Sequence, residues 1–177
     1  MDKQELNKHS QNVKAQATKI LESTEVLEIL KKHGKVYLVG SYPLDVMYGP
    51  DIDIIVVSGD TRKSAVETLN EIVDKKLFRK VEFGDFVKYP LDDRPKGYIL
   101  VLKANVDDVK WEIEIWFLED AKEQIKHFDF VKSRITDENR LEILMAKHLR
   151  ETSGKDKKNL SSYKIYEDIL GSIDTFF

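Results

Sequence analysis

The chain has 177 residues, 41% of them hydrophobic, which is enough for one domain with a real core and too little for two large ones. Its 29 Lys and Arg nearly balance 32 Asp and Glu, so the formal net charge of -3 gives no global attraction to nucleic acid or to a membrane surface. Cysteine is absent, which excludes disulfides and thiolate metal sites and suits a reducing compartment. The N-terminal stretch is polar and no apolar run reaches bilayer length, so the expectation is a cytoplasmic protein with no membrane segment.

Residues 3–33 read as one or two amphipathic helices, with Val13, Ala17, Ile20 and Leu21, then Val26, Leu27, Ile29 and Leu30 at helical spacing and Gly34 as the stop. Such a helix packs on its own domain, and its charged amphipathic character also allows a contact with a second copy in a homo-oligomer. Residues 36–39 form a short strand ending at Gly40-Ser41. Ser41 can cap a brief helix through Tyr48, with Pro43 in its first turn, before Gly49-Pro50 turns the chain. A second strand covers 52–57 and an amphipathic helix 61–76. Three β stretches follow, at 79–89, 97–104 and 110–117, separated by "PLDDRPKG" and "NVDD" and read as an antiparallel set. Helices then return near 119–128, 137–151 and 160–170, with the polar loop "TSGKDKKN" between the last two. The order predicts a single α+β domain with a mixed β-sheet flanked by helices. Residues 1–34 would be N-terminal helices, 35–118 the core sheet with its helices, and 119–177 C-terminal helices.

The stretch "VYLVGSYPLDVMYGPDIDIIVV" carries the chemistry. Asp51 and Asp53 lie two apart in a strand and so share one face, while Ile52, Ile54 and Val56 take the other. Two adjacent carboxylates repel unless one is protonated or a cation lies between them. Hard oxygen ligands at this spacing suit Mg²⁺, which uses one or two carboxylates plus phosphates and water. Gly40-Ser41 meets a second need of phosphate chemistry: a glycine lets backbone approach a ligand, and a helix starting at Ser41 would point N–H groups at an anion.

A hydrophobic strand, Gly40-Ser41, nine residues from Tyr42 to Pro50, then Asp51-Ile52-Asp53-Ile54 resembles the signature of the nucleotidyltransferase superfamily, which includes DNA polymerase β and the aminoglycoside nucleotidyltransferases. The likeness covers roughly residues 36–117. It implies the nucleotidyltransferase fold and transfer of a nucleoside monophosphate from a nucleoside triphosphate to an acceptor hydroxyl, with Mg²⁺ as cofactor. Asp51 and Asp53 would be catalytic and metal-binding, and Gly40 and Ser41 would bind the phosphates. A third carboxylate from a later strand is implied within "KWEIEIWFLE", where Glu112 and Glu114 share a face; the frame around Glu114 fits better, with Glu112 as the fallback. Glu114 would complete the metal site and help deprotonate the acceptor. Lys147 and Arg150, or Arg62 and Lys63, are the candidate phosphate cations. The chain departs from the family's pattern in having Pro50 before Asp51, no Arg between Ser41 and Asp53, and Glu where the third residue is usually Asp.

Other chemistry-bearing residues have plainer readings. Trp111, Trp116 and Phe117 read as core or sheet-edge packing, and His9, His33, His127 and His148 lack metal-ligand spacing and read as surface or cap residues. Lys155, Lys157 and Lys158 read as a solvated loop. A non-catalytic nucleotide-binding or protein-interaction module on the same fold is the rival to the enzyme.

Overall fold

The computed structural model describes residues 1–76, 78–153 and 161–171, so the three loop lysines at 155, 157 and 158 lie outside the described residues. Helix α1 (Lys3–Thr24) starts on a capping box: the Asp2 carboxylate accepts from the Gln4 and Glu5 N–H groups, and Glu5 accepts from the Asp2 N–H. Its stripe of Leu6, Val13, Ala17, Ile20 and Leu21 is buried within this chain. Glu25, at φ +51°, breaks it from α2 (Val26–Lys31).

Strands β1 (Lys35–Val39), β2 (Asp51–Val57), β3 (Lys80–Asp85), β4 (Tyr98–Val106) and β5 (Val109–Leu118) form one sheet in the order β1-β2-β5-β4-β3. Strands β3, β4 and β5 are antiparallel neighbours, as their sequence predicts. The β2–β5 pair is parallel, which requires a long crossover, and α3 (Thr61–Lys75) lies within it. Ile52, Ile54 and Val56 of β2 and Ile113, Ile115 and Phe117 of β5 face the main core, which α1, α2 and α3 cover. Trp111 and Phe117 are fully buried, as their pattern suggests.

The other sheet face carries Ile55, Trp116 and Leu118, which meet Ala121 and Ile125 at the start of α4 (Lys122–Arg134). Helix α4 packs with α5 (Asp137–Thr152) and α6 (Ser162–Leu170) around Val131, Ile143, Leu144, Ile165 and Tyr166. No helix of the described residues is long and apolar enough to cross a membrane.

Three local expectations change. The helix expected from Ser41 to Tyr48 is a turn followed by irregular chain. Its apolar residues are drawn to two different cores, Leu44 and Val46 to the helical one and Met47 to the sheet, so no single helical face exists. Asp45, at φ +59°, completes the break; its carboxylate pairs with Lys14 of α1 at 2.8 Å and Arg140 of α5 at 2.9 Å. The strand expected over 79–89 stops at Asp85, whose carboxylate accepts from the Val87 and Lys88 N–H groups and turns the chain. The helix expected from Glu119 begins at Lys122, where the Asp120 carboxylate accepts from the Lys122 N–H, and continues to Arg134.

Candidate active site

Parallel register sets Asp51 beside Glu112 and Asp53 beside Glu114. Paired residues on adjacent strands project to one side across a gap of about 4.8 Å, so the four carboxylates form a two-by-two array on the sheet face away from the main core. Within that array the charges are unequally compensated. Glu112 receives a hydrogen-bonded ion pair from Lys103 of β4 at 3.0 Å, and Lys103 also reaches Glu82 at 3.6 Å. Glu114 is half-buried; burial pushes its carboxyl up, the Arg94 guanidinium opposes this, and Glu112 and Asp51 add to it. Asp53 is pushed up to about 7, first by burial and then by the Asp51 and Glu114 charges, with Lys147 pulling the other way.

Lys147 of α5 is only 2% exposed. Its Nζ donates to the Val46 carbonyl at 3.0 Å and to the Tyr166 hydroxyl at 3.1 Å, so the 41–48 turn and α6 fix it near the aspartates. Burial lowers it to about 8 against the raising effect of Asp51 and Asp53. A cation buried this completely beside two carboxylates offsets part of their repulsion.

Gly40, at φ +68°, follows β1 directly and faces Asp53; a Cβ there would overlap the Asp53 carboxylate. A Cβ at Gly49 would come within 2.7 Å of Asp51 Oδ1. Glycine therefore lets backbone pass against both aspartates. Ser41 is buried, and its Oγ has no hydrogen-bond partner among the described residues. Ser41 opens a turn, with Val46 N–H donating to its carbonyl at 3.1 Å, so the helix N-terminus expected at Ser41 is absent. Above these residues lies a cavity of about 550 Å³, bounded by Gly40, Asp53 and Glu114 on one side and by residues of α4 and α6 on the other.

The chain aligns over 94% of its length with the structure of the GLD-2/RNP-8 complex, at a TM-score of 0.53 and 15% identity, covering 56% of that chain. It aligns over 93% of its length with the Cid1 poly(U) polymerase bound to Mg and 3'-dATP, at a TM-score of 0.56 and 16% identity, covering 54% of that chain. The chain has the nucleotidyltransferase fold. It spans about half the length of these two solved chains. No protein-family model and no curated protein matches the sequence.

On this nucleotidyltransferase fold the three carboxylates Asp51, Asp53 and Glu114 converge on one face with Gly40 and Ser41 beside them. Among the described residues no group of three or more histidine, aspartate or glutamate side chains is placed so that it could by itself hold a metal ion. Asp51, Asp53 and Glu114 are the residues that would hold Mg²⁺ in its open mode, in which water and phosphate oxygens supply much of the shell. Asp53 is raised by burial and by two neighbouring charges, and the buried Ser41 hydroxyl has no partner among the described residues; a cation and a polar ligand are the kinds of group that would compensate them. Of the candidate phosphate cations, Lys147 is at the carboxylates. Arg150 donates to Glu151 and Ser162, each at 3.2 Å. Arg62 and Lys63 belong to α3, which packs on the opposite sheet face.

Sequence reasoning missed four lining residues. Arg94 lies in the "PLDDRPKG" connection, where only the folded loop brings it toward Glu114. His127 and Tyr163, on different helices, stack in the cavity wall, so His127 is not a surface or cap residue. Trp116 is half-buried, packs against Phe86 at 5.2 Å between ring centroids, and also lines the cavity.

Gly40→Ala tests the close approach. The substitution imposes a left-handed backbone on alanine and forces the Asp53 carboxylate aside, so turnover should drop by about 10²-fold, with a stability loss of roughly 1–2 kcal/mol. Comparing kcat/KM with Tm checks that the catalytic loss exceeds the loss in stability.

Proposed function

We propose that the chain is a metal-dependent nucleotidyltransferase that moves a nucleoside monophosphate from a nucleoside triphosphate to an acceptor hydroxyl, releasing pyrophosphate. The observation that carries this reading is the register that places Glu114 beside Asp53, with Gly40 at the rim of the same cavity. The solved Cid1 structure, similar in fold, holds Mg and 3'-dATP, which supports the same class of ligand here.

Asp51, Asp53 and Glu114 would hold Mg²⁺, which when bound supplies the positive charge that in-line phosphoryl displacement requires. Gly40 and Ser41 position the triphosphate through turn N–H groups and the Ser41 hydroxyl. Lys147 adds a buried cation on the α5 side. Glu114, with its raised proton affinity, accepts the proton of the acceptor hydroxyl as that oxygen attacks the α-phosphorus. Glu112, already paired with Lys103, serves the charge balance of the sheet face.

Thermal melting with Mg²⁺ alone and with each of the four nucleoside triphosphates plus Mg²⁺ tests the reading without knowledge of the acceptor. A ligand at a hundred times its Kd should stabilise the fold by about 2.7 kcal/mol. An unchanged Tm with every nucleotide contradicts it. In a pyrophosphate-release assay, Glu114→Gln should reduce turnover by about 10²-fold or more, while Glu112→Gln stays within about threefold.

A further inference from the structure

Two buried polar atoms in the helical wall of the cavity have no partner. Neither His127 Nε2 of α4 nor the Tyr163 hydroxyl of α6 meets a hydrogen-bonding group among the described residues. The rings stack on each other, 5.0 Å between centroids and 17° between planes, so both unsatisfied groups belong to one stacked pair. Both residues line the cavity that Asp53 and Glu114 border. A fold leaves buried donors and acceptors unpaired at a cost comparable to a lost hydrogen bond, and two in one wall call for a ligand that completes them.

The chemistry of the wall selects the ligand. Burial holds the His127 imidazole below its ordinary pKa, so near neutrality it is uncharged, with one donor and one acceptor nitrogen. The phenol beside it donates and accepts. Trp116 and Phe128 line the same cavity with aromatic surface. An uncharged donor-acceptor pair among aromatic rings is poorly suited to phosphates, which the glycine turn and Lys147 serve. It suits the edge of a flat heterocycle.

We propose that His127 and Tyr163 read the hydrogen-bonding edge of the nucleobase and so make the site selective for one base. This rests on the nucleotidyltransferase reading given above. A site built to hydrogen-bond one edge discriminates strongly, because a mismatched base leaves both groups unsatisfied again.

Calorimetric titration with Mg²⁺-tripolyphosphate, which has no base, and with the Mg²⁺ complexes of ATP, GTP, CTP and UTP tests the proposal. The wild type should bind one of the four at least about tenfold tighter than the weakest. Tyr163→Phe and His127→Phe, which keep the aromatic stack, should each compress that preference to about threefold or less while leaving tripolyphosphate affinity within about twofold. Tyr163→Phe removes a single oxygen, so the test stands even where the His127 variant fails to fold. Equal affinity for all four nucleotides in the wild type, or a preference that survives both substitutions, overturns the proposal. Failure of tripolyphosphate itself to bind defeats the nucleotidyltransferase reading and the base proposal together, a result distinct from tripolyphosphate binding to which the base adds nothing.

Discussion

At pH 8, Asp53→Asn should melt above the wild type in metal-free buffer and, with Mg²⁺ supplied, transfer nucleotide at least about 10³-fold more slowly, equivalent to about 4 kcal/mol of lost transition-state stabilisation. The two effects share a cause. Asp53 is held near 7 by burial and by the Asp51 and Glu114 charges, well above an ordinary carboxyl. Its folded form therefore keeps a proton that the unfolded chain has released. Protons bound in excess by the folded state make stability fall as pH rises. The penalty is absent below about pH 4, grows through the window up to about 7, and is constant above it. Asparagine carries no charge and escapes that penalty, so the difference in stability between the variant and the wild type should open across this window and level off at about 4 kcal/mol. Adding Mg²⁺ with nucleotide should stabilise the wild type more than Asp53→Asn. Melting curves from pH 4 to 8.5, with chelator and with Mg²⁺-nucleotide, check the direction of each change.

Lys147→Met should reduce kcat/KM by about 10²-fold or more, because the variant loses the buried positive charge of Lys147 and leaves the Val46 carbonyl and Tyr166 hydroxyl without their donor. The pH profile separates loss of that charge from simple loosening. Lys147 is among the charges acting on Asp53, and it is the one that lowers its proton affinity. Its removal should move the acidic limb of the kcat/KM profile upward by about one pH unit. A profile that only drops in height would reduce Lys147 to a packing residue. The lysine also has a linkage signature of its own. Burial lowers it to about 8, so its charged form burdens the fold below that pH and the burden lifts as pH rises from 8 toward the ordinary lysine value. Lys147→Met should lack that alkaline recovery.

Much of the fold was legible because residues 51–54 of β2 and 112–115 of β5 alternate, placing isoleucines on one face and carboxylates on the other. What alternation could not reveal is the parallel pairing that joins Asp53 to Glu114. Fifty-one residues of chain separate β2 from β5, from Ser58 to Asp108, and the pairing depends on the α3 crossover and on the whole sheet order. The 41–48 segment misled for the opposite reason. Its apolar spacing is locally helical, yet Leu44 and Met47 are claimed by different cores and Asp45 by two ion pairs. Lys147 stood among four candidate cations until the packing of α5 against the 41–48 turn set it apart. His127 and Tyr163 lay hidden because a single polar or aromatic residue on an amphipathic helix gives no sign of which cavity it will line.

The most direct test of the three-carboxylate site counts bound metal. Electron paramagnetic resonance of Mn²⁺, titrated into the chain with a non-hydrolysable nucleoside triphosphate, should show tightly held manganese in the wild type beyond what the nucleotide binds alone, and at least about tenfold weaker binding in Asp53→Asn. Equal manganese binding by the wild type and the variant, or none above the nucleotide background in either, would contradict the site.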